Sequence, residues 1–598
     1  MPFISTFLFY TVILSLFGYL FKISSRPKDA VQPGEGVYFK KDLVIALGVY
    51  TLFPLVMFFP ILGKFNSGII GYPEDPYQHL WDMWWAIKAV QTPGISLGYT
   101  NSIFYPEGTS LLFHAFSFYN LVWAVILSPF LSLAQTYNFQ ILSTFVLSGA
   151  GAFLLVKHLV RNSFAAIVGG FIFAFNPSHY THALQQIEIA TIQFIPLFVL
   201  FYIKSVKGQA KKDLVLASVF FMLNAASGWY NMFFSVYFVI FAYIYVAVKR
   251  RRFIIKDVMI KSAVVVASGI APLVPWFFSM ITLVVDQSRE VVGGGHGHSV
   301  TDVLALFVPY LYHWLGGHGI FHSLNIKFSG SPWEKAAYLG LGNILVLVVA
   351  GRGALKSSAK YLLGALSFLV LSFGINLHIL GQAHQVVLPY TLIQHIPFFR
   401  NVRMPVRAMV FVYLFWAVAV AFGLRHILFS RKNTPKRTAF LSALVLFIFA
   451  DFTLISGEIA PVGLPSYYSV IMHDKDDFGI FEFPTSYAYS ELYMMYQTFH
   501  GIPIIQGNVA RKTSRTLSDD LPSDYKSLRE RLIRDKVKYI IIRGRFLARG
   551  NTDALGGKTS FDDKVSKTML KLKQMIAVYS KIFRRVYGED DCFIFRVY

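Results

Sequence analysis

Long apolar stretches recur along most of this chain and restrict what it can fold into. Hydrophobic residues make up 55% of its 598 residues and charged residues only 15%, with a mean hydropathy of +0.51. Soluble domains carry about 25% charged residues, and runs of roughly 17 to 25 apolar residues are typical of transmembrane helices. The pattern therefore predicts an all-α polytopic membrane domain with about 12 transmembrane helices. We place these helices near residues 4–22, 42–63, 137–157, 164–177, 190–204, 213–228, 231–248, 259–282, 334–350, 361–375, 406–425 and 438–456.

Lysine and arginine residues are concentrated in alternate loops, which predicts the orientation of the chain. Basic loops face the cytoplasm in membrane proteins, so the loops that are nearly free of Lys and Arg are predicted to lie outside. The alternation holds only if the apolar stretch 114–134 does not cross, and we predict a juxtamembrane helix there, in the outer interface. The net charge of +23 then comes mostly from short cytoplasmic loops, and no nucleic-acid partner is expected. The basic loops are 22–41, 157–161, 204–212, 249–256, 352–360 and 425–437.

The composition changes near residue 457, and this change predicts a second domain. Residues 1–456 form the predicted membrane domain, which includes a first outer loop at 64–136. Residues 457–598 are predicted to form a small α/β domain on the extracytoplasmic face of the plasma (inner) membrane. The single cysteine, Cys592, excludes an intrachain disulfide framework and a thiolate zinc site. The predicted elements are strands at 478–483 and 537–542, helices at 522–536 and 562–579, and two terminal strands around 588–591.

Two patterned segments lie in the first outer loop, and further motifs follow on the same predicted face. The first segment is Asp-Pro-x-Gln-x-x-Trp-x-x-x-Trp at residues 75–85, and the second is Tyr-Pro-x-Gly-x-x-Leu at 105–111. In their order and common outer placement, these motifs resemble the GT-C superfamily of integral-membrane glycosyltransferases, in particular a YfhO-like and mostly uncharacterised bacterial branch. The later motifs are at residues 175–179, 185–188, 333–340, 399–407 and 497–503.

The resemblance implies an activity and a set of site residues. A sugar would move from a polyprenyl-phosphate donor in the membrane lipid to a glycan, lipid or protein acceptor on the extracytoplasmic face. Asp75 would be the catalytic base or a ligand of a divalent cation, magnesium or manganese, and Glu188 would complete the catalytic site. Gln78, His114 and Glu334 would bind substrate. Such a transfer needs a base for the acceptor hydroxyl and positive charge or dipoles for the leaving phosphate.

Three arginines, Arg400, Arg403 and Arg407, lie at the outer end of the 406–425 stretch, against the general charge bias. A guanidinium group holds phosphate through two parallel hydrogen bonds. An ionised group inside an apolar helix costs several kcal/mol unless it is paired. We therefore predict that these arginines bind the carrier phosphate, with Arg403 foremost. The alternative is that their side chains extend to lipid headgroups.

Each acidic candidate also has a purely structural alternative. Asp75 precedes a proline and could cap the helix that begins there. Glu188 could be a solvated loop end, and Glu334 an exposed acid that the helix dipole favours.

Two other kinds of function compete with the enzyme for the whole chain. One is a transporter or flippase of a lipid-linked saccharide, and the other is a non-catalytic membrane assembly protein with a GT-C-like fold. Transporters favour repeated halves and polar residues at the bilayer midplane. Here the candidate residues gather at one predicted face, which favours the glycosyltransferase.

Overall fold

A computed structural model describes most of the chain from residue 39 onward. The predicted span 4–22, Arg400 and positions 562–573 of the predicted basic helix lie outside the described residues. The described residues are 39–287, 299–393, 395, 402–429, 435–454, 458–485, 487–513, 515–522, 524–543, 574–589 and 592–598.

The chain divides into two units, and each is considered by itself. Unit 1 contains most of the long apolar helices, and unit 2 contains a four-stranded sheet. Unit 1 comprises residues up to Gly63, Ser117–Asn120 and Asn138–Glu458, and unit 2 comprises Lys64–Phe116, Leu121–Tyr137 and Ile459–Tyr598.

Helices make up most of the described chain, and six segments are long and apolar enough to cross a membrane. Their length and composition are those of a multi-pass membrane protein, while the full number of about 12 spans stays a prediction. The six are Leu133–Val160, Ile187–Lys207, Trp229–Arg250, Lys256–Leu283, Leu341–Ser372 and Pro405–Phe429. The α-helices begin and end at Phe39–Met57, Asp75–Gln91, Phe118–Leu127, Leu133–Val160, Ser163–Ala174, Pro177–Ala183, Ile187–Ala190, Phe194–Lys207, Lys211–Ser227, Trp229–Arg250, Lys256–Ile270, Val274–Gln287, Gly319–Asn325, Leu341–Ser372, Tyr390–Ile393, Met409–Phe429, Pro435–Phe452, Ser469–Met472, Tyr487–His500 and Tyr525–Arg534.

The helix Met409–Phe429 lies at the centre of unit 1. It is buried along most of its length and packs against Leu341–Ser372 and Ser163–Ala174. A helix that is hydrophobic all round has no face to offer to water, so burial on all sides is expected. A short 3-10 turn, Pro405–Ala408, leads into it and carries Arg407. The buried central helix of unit 1 therefore begins just after Arg407, one of the candidate arginines.

The segment Leu341–Ser372 combines two of the predicted spans, 334–350 and 361–375. It is divided at Gly351, which has a φ of 62°, a conformation that glycine adopts without steric cost. Residues 334–340 are not helical, because the helix begins after Gly340. Glu334 therefore lies outside the first helical turn. It is not an exposed acid stabilised there by the helix dipole.

The predicted juxtamembrane stretch 114–134 contains a helix of only 10 residues, Phe118–Leu127. At 1.5 Å per residue it extends about 15 Å, half of the roughly 30 Å hydrocarbon core of a bilayer. This helix is therefore too short to cross a bilayer by itself, and its position in the outer interface stays a prediction.

The sheet of unit 2 is built from four strands, with Gly479–Phe483 at one edge. It runs parallel to Val537–Arg543, which pairs antiparallel with Cys592–Arg596, and Arg584–Glu589 forms the other edge. Val537–Arg543 is buried throughout, which explains the continuous apolar run in its sequence. The strands predicted at 478–483 and 537–542 correspond to the first two of these.

Part of the predicted first outer loop, which the sequence assigns to the membrane domain, belongs to unit 2. Gly68–Ile70 forms an antiparallel ladder with Ile459–Pro461. The Tyr105 N–H donates to the Ile504 carbonyl at 3.1 Å, which extends the backbone pairing between the loop and the C-terminal region. The patterned segments of the loop are therefore held by the C-terminal chain.

Candidate functional site

Asp75 is the first residue of the helix Asp75–Gln91 in unit 2 and is half-buried. The N-cap position belongs to Glu74, and no side-chain cap bond is formed there. Pro76 follows in the first turn, where its missing N–H costs no helical hydrogen bond. An acid in this turn is stabilised by the helix dipole. Asp75 thus stands at the positive end of a helix without being its cap.

The Asp75 carboxylate is hydrogen-bonded to a second carboxyl group, that of Glu491. Glu491 lies on the helix Tyr487–His500, which packs against Asp75–Gln91, and its side chain is completely buried. Burial, followed by the charge and hydrogen bond of Asp75, raises the pKa of Glu491 to about 10. Glu491 therefore keeps its proton at neutral pH and donates it in the hydrogen bond to Asp75.

Asn508 connects this acid pair to the polar residues of the first motif. Its Nδ2 donates to Glu491 Oε1 at 2.6 Å and to Gln78 Oε1 at 2.8 Å. The Gln78 amide lies 3.1 Å from His114 Nε2. Glu491, Asn508, Gln78 and His114 are all buried, so the two hydrogen bonds from Asn508 fix the side chains of Glu491 and Gln78 in position.

The far end of this network is Asp82, whose Oδ1 lies 2.9 Å from His114 Nε2. The Ala510 N–H donates to His114 Nδ1 at 3.2 Å, which leaves Nε2–H to face Asp82. Burial would raise the pKa of Asp82, but His114 and then His79 outweigh it and the pKa is lowered. Gln78 and His114, both predicted to bind substrate, are thus engaged with protein groups.

Arg407 and Glu334 form a buried ion pair in unit 1. Arg407 Nε and Nη2 lie 2.9 Å and 2.6 Å from Glu334 Oε1. Arg407 Nη2 also donates to Gln186 Oε1 at 2.7 Å, and its guanidinium lies 4.5 Å from the Tyr230 ring centre. Burial would raise the pKa of Glu334, but the Arg407 charge and then His182 lower it. Arg407 therefore has the paired environment that an intramembrane cation requires.

Glu188 belongs to the same buried cluster. It lies on the short helix Ile187–Ala190, is almost inaccessible to solvent, and interacts electrostatically with Arg407, Glu334 and His182. Glu188 is therefore not a solvated loop end. The adjoining cavity, bordered by His182, Tyr230 and Arg407, measures about 10 Å³, which is room for about one water molecule.

The Asn-Pro-Ser-His motif explains how His182 is placed in this cluster. The Asn176 side chain accepts the His179 N–H at 2.9 Å and begins the helix Pro177–Ala183. An Asn cap followed by Pro at the first helical position is a strong helix start. His182 follows in the last turn, with Nε2 3.6 Å from Glu334 Oε2.

Arg403 is held mainly through its backbone. Its N–H donates to the Tyr230 hydroxyl at 3.1 Å, and the side chain is half-buried. Among the described residues no carboxylate forms an ion pair with Arg403, in contrast to Arg407. Of the three candidate arginines, Arg400 lies outside the described residues.

The candidate residues thus fall into two groups. Asp75, Gln78 and His114 belong to unit 2, where the structure links all three through Glu491 and Asn508. The other group belongs to unit 1, where Glu188, Glu334 and Arg407 meet with Arg403 linked through Tyr230. Within the described ranges, no group of three or more His, Cys, Asp or Glu side chains is arranged to hold a metal ion. A divalent cation at Asp75 stays a prediction.

Glu491 and Asn508 were not among the residues predicted from the sequence. Glu491 is the only charged residue between Tyr487 and Gln497, a largely apolar and aromatic run. A single acid in such a run is costly to bury without a partner, and this is the signal that could have identified it. Nothing comparable distinguishes Asn508 in the sequence.

Comparison with known proteins bears on the fold. No curated protein matches the chain. The apo oligosaccharyltransferase of Archaeoglobus fulgidus is similar over 86% of this chain and 71% of its own, with 11% identity and a TM-score of 0.50. AglB from the same organism, in complex with an inhibitory peptide and a dolichol-phosphate, has 12% identity and a TM-score of 0.48, over 85% and 70% of the two chains. ArnT from Cupriavidus metallidurans, bound to undecaprenyl phosphate, has 10% identity and a TM-score of 0.40, over 94% and 98%.

The likeness to the apo oligosaccharyltransferase is one of fold, and it supports the GT-C-like fold that the motifs imply. The assignment to a YfhO-like branch stays a prediction. A family described as Domain of unknown function (DUF6311) matches residues 45–453, which is more than half of the sequence. The chain therefore belongs to the DUF6311 family.

Proposed function

We propose that this protein is a membrane glycosyltransferase that moves a sugar from a polyprenyl-phosphate donor to an acceptor on the extracytoplasmic face. The observation that carries the proposal is the acid pair, in which a buried, protonated Glu491 donates to the half-exposed Asp75 at a helix N-terminus. A protein with a similar fold is named an oligosaccharyltransferase, which supports the same class of reaction.

Asp75 acts as the general base in this reaction. The acceptor hydroxyl oxygen attacks the anomeric carbon, its proton passes to the Asp75 carboxylate, and the bond from that carbon to the phosphate oxygen breaks. The electron pair of that bond leaves with the carrier phosphate. The hydrogen bond from Glu491 fixes the orientation of the carboxylate, which is partly exposed to solvent. Positioned bases of this kind contribute on the order of 10² to 10⁴ in rate.

Gln78 and His114 are positioning residues in this proposal. Both are buried; Gln78 is bonded to Asn508, and His114 is bonded to Asp82. They therefore hold the helix Asp75–Gln91 against the C-terminal region that contains Glu491. This changes the role that the sequence assigned to them, because their polar atoms are engaged by the protein.

Arg403 is the proposed contact for the carrier phosphate in unit 1. Arg407 is neutralised by Glu334 and bonded to Gln186. It is therefore better suited to stabilising the buried acids Glu188 and Glu334 than to binding an anion. Arg403 has no such ion pair among the described residues, and a guanidinium group matches phosphate geometry.

A divalent cation would supply additional positive charge for the leaving phosphate if it bound at Asp75. No step above depends on it. Chelation with EDTA, followed by addition of magnesium or manganese, tests whether transfer requires a cation.

The experiment is a sugar-transfer assay in membrane vesicles that contain the native acceptor. A labelled polyprenyl-phosphate hexose is supplied to wild type, Asp75→Asn, and the matched surface control Asp520→Asn. We expect transfer by wild type and by the control, and a loss of about 10²-fold or more in Asp75→Asn, with unchanged expression and elution profile. Equal transfer by all three would overturn the assignment of Asp75. Movement of intact donor between leaflets without transfer would favour a flippase.

A further inference from the structure

A cleft opens among helices of unit 1, and it is lined by residues other than Glu188, Glu334 and Arg407. It lies between Phe194–Lys207, Trp229–Arg250 and Leu341–Ser372, and has a volume of about 150 Å³. Phe238 and Phe415 are among its walls, and both are buried apart from this opening.

The walls of the cleft are suited to hydrocarbon. Tyr202 contributes to them, and its hydroxyl is engaged by Ser262 Oγ at 2.8 Å. An apolar cavity of about 150 Å³ in a soluble protein stays dry and accepts an apolar guest. In a membrane protein, the guest available in the greatest amount is a lipid chain.

Two lysines also border the cleft, Lys207 and Lys360. Lys207 is exposed and ends the helix Phe194–Lys207, while Lys360 is half-buried with its Nζ 4.6 Å from the Tyr361 ring centre. Lysines at such positions keep their stems in apolar surroundings and carry the ammonium group to the interface. The cleft thus combines a hydrocarbon-like interior with two positive charges at its border.

We propose that this cleft is a binding site for an anionic phospholipid. One acyl chain enters between the helices, and the phosphate lies beside Lys207 and Lys360. From Phe238 to Val246 the helix rises about 12 Å, a depth that accommodates the headgroup-proximal part of a chain. These lysines belong to the basic ends of the helices, which the charge distribution predicts to be cytoplasmic, and anionic lipids there attract basic groups. The site is independent of the proposed transfer reaction.

The test measures lipid retained on the purified protein. The protein is extracted from nanodiscs of equal phosphatidylglycerol and phosphatidylcholine, and bound lipids are identified by native mass spectrometry. We expect one phosphatidylglycerol to be retained in preference. The Lys207→Gln/Lys360→Gln variant should lose it by on the order of tenfold or more, and the control Lys211→Gln/Lys212→Gln should retain it.

A second variant tests the chain-binding part separately. Ala242 borders the cleft, so Ala242→Trp should fill it and abolish retention of either lipid while the lysines remain. Equal phosphatidylglycerol retention in the Lys207/Lys360 variant and in wild type would overturn the proposal, as would an equal loss in the control pair. Preferential retention of added undecaprenyl phosphate over phosphatidylglycerol would assign the cleft to the carrier and overturn the phospholipid assignment.

Discussion

Replacing Glu491 with Gln should remove a large pH dependence of stability from unit 2. Glutamine has nearly the same shape, stays neutral at every pH, and can still donate to Asp75 and accept from Asn508. It therefore imitates the protonated acid. In wild type, Glu491 has a pKa of about 10, raised from an ordinary value of 4.5. Between those values the folded protein holds a proton that the unfolded chain releases.

The sign and size of the effect follow from this proton. The contribution of this proton to stability is fully present below the pKa of Glu491 in the unfolded chain. It decreases as the pH rises and is lost above the pKa in the folded protein. Each pH unit in this window removes about 1.4 kcal/mol, so a change from pH 6 to pH 8 removes about 2.7 kcal/mol. For domains of about 150–250 residues, each kcal/mol corresponds to about 2–4 °C in Tm. Between pH 6 and pH 8 the Tm of the wild type should therefore fall by at least about 5 °C more than the Tm of Glu491→Gln.

The assay is thermal unfolding of detergent-purified protein at half-unit intervals from pH 6 to pH 8. Glu530→Gln is the matched control, because Glu530 is exposed on the helix Tyr525–Arg534 of the same unit and should leave the wild-type slope unchanged. Parallel curves for wild type and Glu491→Gln would mean that Glu491 does not hold its proton in the folded state.

Two further predictions concern stability. Gly108→Ala should cost about 1–3 kcal/mol, because Gly108 has a φ of +70° and a new Cβ would lie 2.4 Å from the Thr100 carbonyl oxygen. The control Gly463→Ala, where no atom lies within 4 Å of the new Cβ, should be nearly neutral in the same unfolding measurement. Arg407→Met should destabilise by about 3–5 kcal/mol, and adding Glu334→Leu should recover much of the loss. A double-mutant cycle by thermal unfolding checks this, and additive losses would contradict the ion-pair interpretation.

Apolar periodicity was enough to predict the class of the fold, since it reports local structure. The buried strand Val537–Arg543 and the long helix Trp229–Arg250 lie close to their predicted positions, because each is a continuous apolar run. The division at Gly351 was not predicted in this form. Charged residues follow Gly351, and the sequence therefore favours a loop between two spans. In the structure the chain is helical before and after Gly351, and only this glycine has a left-handed conformation.

The candidate site was predictable only in part, because its contacts join distant parts of the chain. Asp75 was identified from a local motif, but its partner lies on the Tyr487–His500 helix, where the neighbouring Trp81–Gln497 hydrogen bond spans 416 positions. Similarly, Arg407 and Glu334 were both candidates, yet their pairing across 73 positions follows only from the packing of helices. Local patterns indicate which residue types carry chemistry, and the tertiary fold decides which of them meet.

Release of unloaded polyprenyl phosphate reports directly on the transfer step proposed for Asp75. Purified protein in nanodiscs, supplied with polyprenyl-phosphate hexose and an acceptor-containing membrane extract, is sampled over time and free polyprenyl phosphate is quantified by mass spectrometry. Wild type should release carrier in proportion to the sugar transferred, and Asp75→Asn should release it at a rate lower by about 10²-fold or more. Release at the same rate by both proteins would mean that Asp75 is not the base of a transfer reaction.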